Sequence, residues 1–205
     1  MKVNYKFSFL GSRRYIHGTQ MTYGFLDVLK NNGYFNSYDD IIQLSSVHKL
    51  LSDKQGYYII DEQYDGVYSV SFSAKILDKV INGYFIETNE EVKTSIPYDE
   101  IGIIDGYILD IDNSTATVQI REYDNIFNVL ISLIKQLEIT KFSSEGYTAW
   151  LLGKYKIDWN MMHKEAIGKE MKVIITNNID DQYLHIKIYV DGNYVGFMDD
   201  ARQKI

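Results

Sequence analysis

The sequence passes through the same order of patterns twice, and this duplication constrains the fold more than any other feature. Each half begins with an alternating strand, at residues 3–9 and again at 116–120. Each strand leads into a helical pattern, over 20–32 and over 124–138, and each helix precedes long tyrosine-rich, β-branched sequence broken by Asn-Gly or Asp-Gly. The order of strand, helix and antiparallel strands in each half predicts an α+β protein.

The second predicted helix is apolar almost all round. Apolar residues between 126 and 137 cover much more than a single stripe, so we expect protein on nearly every side of it. Asp124 is the predicted N-cap, because a carboxylate there accepts a backbone N–H of the first turn. The first helix is shorter, carries Asp27 in its interior, and is predicted to stop at Asn32-Gly33.

Turn signals divide the strand-rich stretches. Asn82-Gly83 is predicted to form a type I′ hairpin turn, and Asp191-Gly192 is predicted to turn the chain into the strand that begins near Tyr194. Pro97 is the chain's single proline, and no Gly/Ser/Pro-rich linker occurs. We therefore expect a first repeat at 1–97 and a second at 98–205, packed as one globular unit.

Composition excludes several classes of function. The net charge of −7 argues against a nucleic-acid partner, because phosphate binding needs concentrated Lys and Arg. The absence of cysteine excludes disulfides, thiolate catalysis and zinc–thiolate sites, and the four histidines show no metal-ligand spacing. No apolar stretch is long enough for a membrane span. We expect a cytoplasmic, bacterial protein with no metal and no cofactor.

The densest cluster of functional side chains lies between the first strand and the first helix. This loop carries Arg13, Arg14, Tyr15 and His17, followed by Gly18-Thr19. An imidazole has an ordinary pKa near 6.5 and can both accept and deliver a proton at neutral pH. The cluster therefore predicts an acid–base site next to the start of the helix.

This loop resembles that of the 3-hydroxyacyl-ACP dehydratases and related hotdog enzymes. In that family a histidine lies in the same loop, followed by glycine and a Met-x-x-Gly entry into the central helix. His17-Gly18 and Met21 to Gly24 match that order. The chain lacks the family's prolines, has a shorter spacing from histidine to helix, and offers only Asp27 near the acidic helix position. The resemblance implies a tandem (double) hotdog, two antiparallel sheets each wrapped around a central apolar helix; a generic α+β domain is the alternative.

The resemblance also implies a chemistry and its residues. His17 would move the proton α to a thioester carbonyl, and a backbone N–H at the helix start would polarise that carbonyl. An acid from the second repeat would complete the site: Glu122, or Asp124 if it is not committed as a cap. Asp27 would serve instead in a thioesterase that uses a helix carboxylate.

Substrate binding is assigned to the same loop. Arg13 and Arg14 would meet the phosphates of coenzyme A or of a phosphopantetheine arm, beside Tyr15, Gly18 and Thr19. The predicted partner is thus an acyl-CoA or an acyl carrier protein, and the chain could also form a homodimer. The reaction would be dehydration of a 3-hydroxyacyl thioester or thioester hydrolysis.

Other functions fit the same residues. A non-catalytic module of this fold could bind a small ligand or a protein, and a purely structural protein is a third hypothesis. Turnover that depends on His17 would separate the enzyme from both.

Overall fold

The computed structural model describes residues 1–121, 125–164 and 166–204. Over these residues the chain divides into two compact units, Met1–Asp99 and Glu100–Ile205. Each unit combines a long helix with an antiparallel sheet, so the predicted α+β class is confirmed.

The first unit is an antiparallel sheet with one long helix. Its elements are β1 (Lys2–Tyr5), β2 (Phe9–Leu10), α1 (Gly18–Asn31), β3 (Ile41–His48), β4 (Lys54–Ile60), β5 (Val70–Ile76), β6 (Lys79–Glu91) and β7 (Ser95–Ile96). The sheet has the order β1-β4-β6-β5-β3, with antiparallel neighbours throughout. The short strands β2 and β7 pair in parallel beside it.

Helix α1 packs its apolar side on this sheet. Phe25 stacks on Phe72 of β5, with ring centroids 4.8 Å apart. The hydroxyl of Tyr58 in β4 donates to the Met21 carbonyl at 2.7 Å. The helix ends at Asn31, and Gly33 follows with a φ of 76°, a left-handed conformation that suits glycine.

The second unit is built in the same manner. Its elements are β8 (Ile108–Asp110), β9 (Thr115–Gln119), α2 (Ile126–Lys141), β10 (Leu151–Asp158), α3 (Trp159–His163), β11 (Glu170–Ile179), β12 (Tyr183–Val190) and β13 (Asn193–Ala201). The order β10-β13-β12-β11-β9-β8 is antiparallel at every step.

Helix α2 is buried around most of its circumference, as its sequence predicts. Phe127 packs edge-on against Tyr155 of β10, with ring centroids 5.0 Å apart. The N-cap, however, is Asn125, whose side chain accepts the backbone N–H of Asn128 at 3.1 Å. Asp124, the cap predicted from the sequence, lies outside the described residues.

The predicted hairpin turns have opposite outcomes. Asp191-Gly192 does connect β12 to β13, with φ values of 50° and 76° that fit a type I′ turn. The prediction at Asn82-Gly83 is wrong, since both residues lie inside β6 and the turn before this strand falls at Leu77-Asp78. Gly83 is instead required by packing: a Cβ there would lie 2.4 Å from the Phe25 ring.

Candidate functional site

His17 occupies the N-cap position of α1. Its backbone N–H donates to the Gln20 side-chain oxygen at 3.2 Å, and its carbonyl accepts the Met21 N–H at 3.2 Å. The ring Nδ1 lies 2.9 Å from the Thr19 hydroxyl, and the residue is only 7% exposed. The imidazole is therefore held in one place at the positive end of the helix dipole.

The loop before His17 is tied to the rest of the unit by backbone hydrogen bonds. Phe9 donates to the Thr94 carbonyl at 2.8 Å, and Gly11 donates to the Ile96 carbonyl at 2.8 Å. Ile16 donates to the Ser52 carbonyl at 2.7 Å. The Gln20 amide adds a further link, donating to the Ser8 carbonyl at 2.7 Å. These bonds fix the loop on both sides of the arginine pair.

Aromatic rings connect His17 to Arg13. The ring centroid of Tyr98 lies 6.1 Å from that of His17, and the guanidinium carbon of Arg13 lies 5.2 Å from the Tyr98 centroid. The ring centroids of Tyr15 and His17 are 6.5 Å apart. A guanidinium over a tyrosine face is a favourable cation–π contact, which positions Arg13.

A cleft of about 510 Å³ opens beside this loop. Its lining comes from three segments of the first unit: Phe9 and 11–14, Asp53-Lys54, and 91–95. Both predicted phosphate ligands, Arg13 and Arg14, lie on its wall. His17 itself is not part of the lining, but it follows Arg14 by three residues.

The Met-x-x-Gly element of the resemblance has a packing reason. Met21 is buried, and its carbonyl accepts the Tyr58 hydroxyl. A Cβ at Gly24 would lie 2.7 Å from that hydroxyl oxygen and 3.0 Å from the Tyr5 ring. The glycine therefore lets the helix approach the sheet closely.

Asp27, the helix carboxylate, is engaged elsewhere. Its oxygens accept the hydroxyls of Tyr5 at 2.9 Å and of Tyr38 at 3.4 Å. Burial, and then the hydrogen bond and charge of Asp27, raise the pKa of Tyr5 above its ordinary value. Ten helical residues separate Asp27 from His17, which is a rise of about 15 Å. Asp27 and His17 therefore do not act on the same atom.

The carboxylates predicted to complete the site, Glu122 and Asp124, lie outside the described residues.

The second unit does contain another carboxyl pair, Glu138 of α2 and Asp200 of β13, which are 2% and 6% exposed. Burial, followed by the neighbouring Asp200 carboxyl, raises the pKa of Glu138 well above its ordinary value. Burial raises the pKa of Asp200 to about 6. One oxygen of each carboxyl has no hydrogen-bond donor among the described residues. A single proton shared between the two carboxyls would give these oxygens a hydrogen bond.

A second, smaller cleft of about 230 Å³ lies over β3, β5 and β6. Serine side chains form much of its lining, and Tyr68 and Tyr84 flank it with ring centroids 5.0 Å apart.

Within the described part of the chain, no group of three or more His, Asp or Glu side chains could hold a metal ion. None of the described helices is both long and apolar enough to cross a bilayer.

Several residues of the candidate site were not predicted from the sequence. Tyr98, Lys54 and Lys93 reach the His17 loop or the cleft only because distant segments pair there. Gln20 offered a local signal: a Gln three residues after an N-cap is typical of a capping box. Glu138 offered another, as a carboxylate near the end of an otherwise apolar helix.

Comparison with known proteins identifies the fold. No family model matches the chain, and no curated protein matches it. The tesB protein of Mycobacterium avium subsp. paratuberculosis superposes with a TM-score of 0.51 at 10% identity, over 99% of this chain and 93% of its own. An acyl-ACP thioesterase from Bacteroides thetaiotaomicron gives a TM-score of 0.49 at 10% identity, over 98% of both chains.

A conserved protein with a hot dog fold from Alicyclobacillus acidocaldarius gives a TM-score of 0.44 at 7% identity, over 94% of this chain and 88% of its own. Sequence identities this low show the fold alone. The weak resemblance to hotdog proteins expected from the sequence is therefore confirmed as a similarity of fold along nearly the whole chain.

Proposed function

We propose that this protein processes acyl thioesters and that His17 moves the proton in the reaction. The observation that carries the proposal is the placement of His17, which is buried at the N-cap of α1 and held by Thr19 and Gln20. An imidazole held in this way is suited to proton transfer, because folding has already fixed its orientation and little further conformational entropy is lost in the reaction.

The hydrogen bond to Thr19 divides the work between the two ring nitrogens. If the Thr19 hydroxyl donates to Nδ1, then Nε2 carries the proton and can only donate a hydrogen bond. If Nδ1 donates, Nε2 is the base that accepts the substrate proton, and the imidazolium formed then returns it as the acid. Backbone N–H groups in the first turn of α1 would stabilise negative charge on the thioester oxygen. The same arrangement serves dehydration of a 3-hydroxyacyl thioester or attack of water on a thioester.

We further infer that the two compact units are tandem hotdog repeats, with a boundary near Pro97. The support is that each unit places one long helix against an antiparallel sheet. Glu122 and Asp124 of the second repeat stay candidates for a complementary acid. An acyl-CoA or acyl carrier protein as partner, a homodimer and a cytoplasmic location are further parts of the proposal.

Turnover of thioesters tests the catalytic role directly. Saturated acyl-CoA and 3-hydroxyacyl-CoA substrates would be incubated with wild type and with His17→Gln, and products identified by mass spectrometry. We expect loss of water or release of the thiol, reduced at least about 100-fold in the variant. His185→Gln, which changes a histidine of the second unit, is the matched control and should retain turnover. Full turnover by a folded His17→Gln protein would refute the role of His17.

The engagement of Asp27 favours a second candidate function, a binding module without turnover. Asp27 accepts two phenol hydroxyls and lies far along the helix from His17, so the described residues supply no carboxylate beside the imidazole in the first unit's helix. In this case wild type would bind acyl thioesters or a hydroxyl-rich ligand of the second cleft, and no product would form. Thermal stabilisation by ligand without turnover would select this function.

A further inference from the structure

The cleft beside the His17 loop has an unusual concentration of positive charge for an acidic protein. Four cationic side chains line it, Arg13, Arg14, Lys54 and Lys93, against the carboxylates of Asp53 and Glu91. Arg14, Lys54 and Lys93 form no ion pair within the described ranges. The cleft thus holds a local excess of positive charge, while the whole chain carries a net charge of −7.

The cations lie on three walls that the backbone holds together. The parallel pairing of β2 with β7 joins the arginine loop to the segment that carries Lys93. The hydrogen bond from Ile16 to the Ser52 carbonyl joins the same loop to the segment that carries Lys54. The charges therefore converge because of the fold, and they converge from residues far apart in the sequence.

We propose that this cleft binds the phosphates of a nucleotide-bearing acyl carrier, a diphosphate together with a phosphate monoester, in preference to the single phosphodiester of a protein-bound arm. The inference rests on the proposed function and names its carrier. A diphosphate with a further phosphate monoester carries about four negative charges near neutral pH, whereas a phosphodiester carries one. The four cations exceed the two carboxylates of the lining by two charges, so the cleft attracts the more highly charged ligand more strongly. The volume of about 510 Å³ is also in the ordinary range for small-molecule sites.

The two kinds of cation have different parts. Arg13 and Arg14 present planar donor forks that can each hold two phosphate oxygens, and Arg13 is already positioned by the Tyr98 ring. Lys54 and Lys93 act as point charges on the two facing walls. Asp53 and Glu91 reduce the positive electrostatic potential in their part of the cleft. A neutral part of the ligand, such as a ribose or a base, would lie beside these carboxylates.

The position of the cleft suits a carrier whose acyl end reaches His17. Four residues separate Arg13 from His17, so their Cα atoms are at most about 14 Å apart. A carrier held by its phosphates at the arginines could extend its arm along this loop toward the imidazole. Binding energy at the cleft would then be separable from chemistry at the histidine.

Direct binding tests the cleft without any need for turnover. Isothermal titration would compare adenosine 3′,5′-bisphosphate with O-(4′-phosphopantetheinyl)serine, which has the phosphodiester of a protein-bound arm. Both ligands would be titrated into wild type, into the double variant Lys54→Gln/Lys93→Gln, and into Lys75→Gln/Lys79→Gln. Lys75 and Lys79 are exposed lysines of the first unit outside the cleft lining, so this control removes the same charge. We expect the bisphosphate to bind more tightly than the phosphodiester and to lose about tenfold in affinity in the Lys54/Lys93 double variant. Equal affinity for the two ligands, or no loss in the Lys54/Lys93 double variant, would overturn the proposal.

Kinetics distinguish failure of the cleft from failure of the enzyme. If wild type turns over an acyl-CoA, the Lys54/Lys93 double variant should raise its KM about tenfold at unchanged kcat, and leave the KM of the matching acyl-pantetheine unchanged. Turnover with no change in KM would refute the cleft and keep the enzyme. Tight bisphosphate binding with no turnover would keep the cleft and refute the enzyme.

Discussion

Gly83 lies in the middle of β6 because the ring of Phe25 fills the space that a side chain would need. A Cβ at this position would lie 2.4 Å from one Phe25 ring carbon and 3.1 Å from the Ile60 methyl. Phe25 and Ile60 are both buried, so neither can move away without disturbing the core of the first unit.

Gly83→Ala should therefore destabilise the protein by about 1–3 kcal/mol, as overpacking of a rigid core does. Urea unfolding followed by circular dichroism measures this free energy. Asn82→Ala is the control: Asn82 is exposed within the same strand, and its replacement should change stability by less than about 0.5 kcal/mol. If Asn82→Ala were the more damaging change, the pair would be acting as a turn.

The same glycine shows where sequence reasoning fails at the scale of a residue. Asn-Gly is the strongest short hairpin signal, and it predicts Asp191-Gly192 correctly in its Asp form. At Asn82-Gly83 the signal is identical, yet the requirement comes from a helix some sixty residues earlier. The position of Phe25, which the local sequence does not reveal, is what shows that Gly83 makes space for an aromatic ring and does not form a turn.

Among the elements, α2 and β13 are joined by a contact that depends on pH. Glu138 and Asp200 face each other in the interior of the second unit, with Asp199 adjacent in sequence and Lys135 and Arg202 as the neighbouring cations. Burial raises the pKa of both carboxyls of the pair above their ordinary values. The folded state thus binds more protons than the unfolded chain, so the pair's contribution to stability is present at low pH and is lost as pH rises through the folded pKa values.

We expect the stability of the second unit to fall as pH rises through about 6 and beyond, where the carboxyl pair loses its protons, and Glu138→Gln should make this fall shallower. The glutamine amide stays neutral and can donate to Asp200 at every pH. Both tryptophans, Trp150 and Trp159, lie in the second unit, so their fluorescence during urea unfolding reports on it.

The pH window separates this effect from an opposing one. Burial lowers the pKa of His48 in the first unit to about 4, which makes stability rise with pH between about 4 and 6.5. Above pH 6.5 that contribution is constant. Glu145→Gln, at an exposed position of the second unit, should keep the wild-type slope. An unchanged slope in Glu138→Gln would show that the pair shares no proton.

Element prediction succeeded where local pattern decides the structure. Both long helices and the alternating strand predicted at 116–120 follow from apolar periodicity, and the structure has them as α1, α2 and β9. Boundaries shifted by a few residues, because the caps chosen were His17 and Asn125 rather than the residues expected from pattern alone. A cap depends on which nearby side chain reaches the first turn, and pattern ranks several candidates about equally.

In the molecule as a whole, the candidate site is only partly readable from the chain. The loop of Arg13, Arg14 and His17 is local, and the sequence identifies it. Lys54 and Lys93 join it through strand pairing and backbone hydrogen bonds between distant segments, which no single window of sequence contains. The sequence therefore predicts half of the cleft's cations, and the fold supplies the others.

The molecule is acidic while the cleft is basic, so an experiment can show whether the overall charge or the charges of the cleft determine how tightly an anion binds. The net charge is −7, so a polyanion is repelled at long range and attracted within the cleft. At physiological ionic strength the Debye length is about 8 Å, which screens distant charges much more than those that line the site. The local carboxylates, Asp53 and Glu91, should therefore oppose binding more than all remote acids do.

Asp53→Asn/Glu91→Gln should tighten adenosine 3′,5′-bisphosphate binding about threefold to tenfold, by removing like charge beside the phosphates. Asp65→Asn/Asp78→Asn changes the net charge equally, from −7 to −5, at exposed positions outside the cleft lining. That control should alter affinity less than twofold at 0.15 M salt, and titration calorimetry measures both. Equal tightening in the two double variants would mean that overall charge governs binding, and the cleft would lose its assigned part in selecting the carrier. A gain confined to Asp53 and Glu91 would instead show that the ligand's phosphates lie within reach of these carboxylates, on the same walls as Lys54 and Lys93.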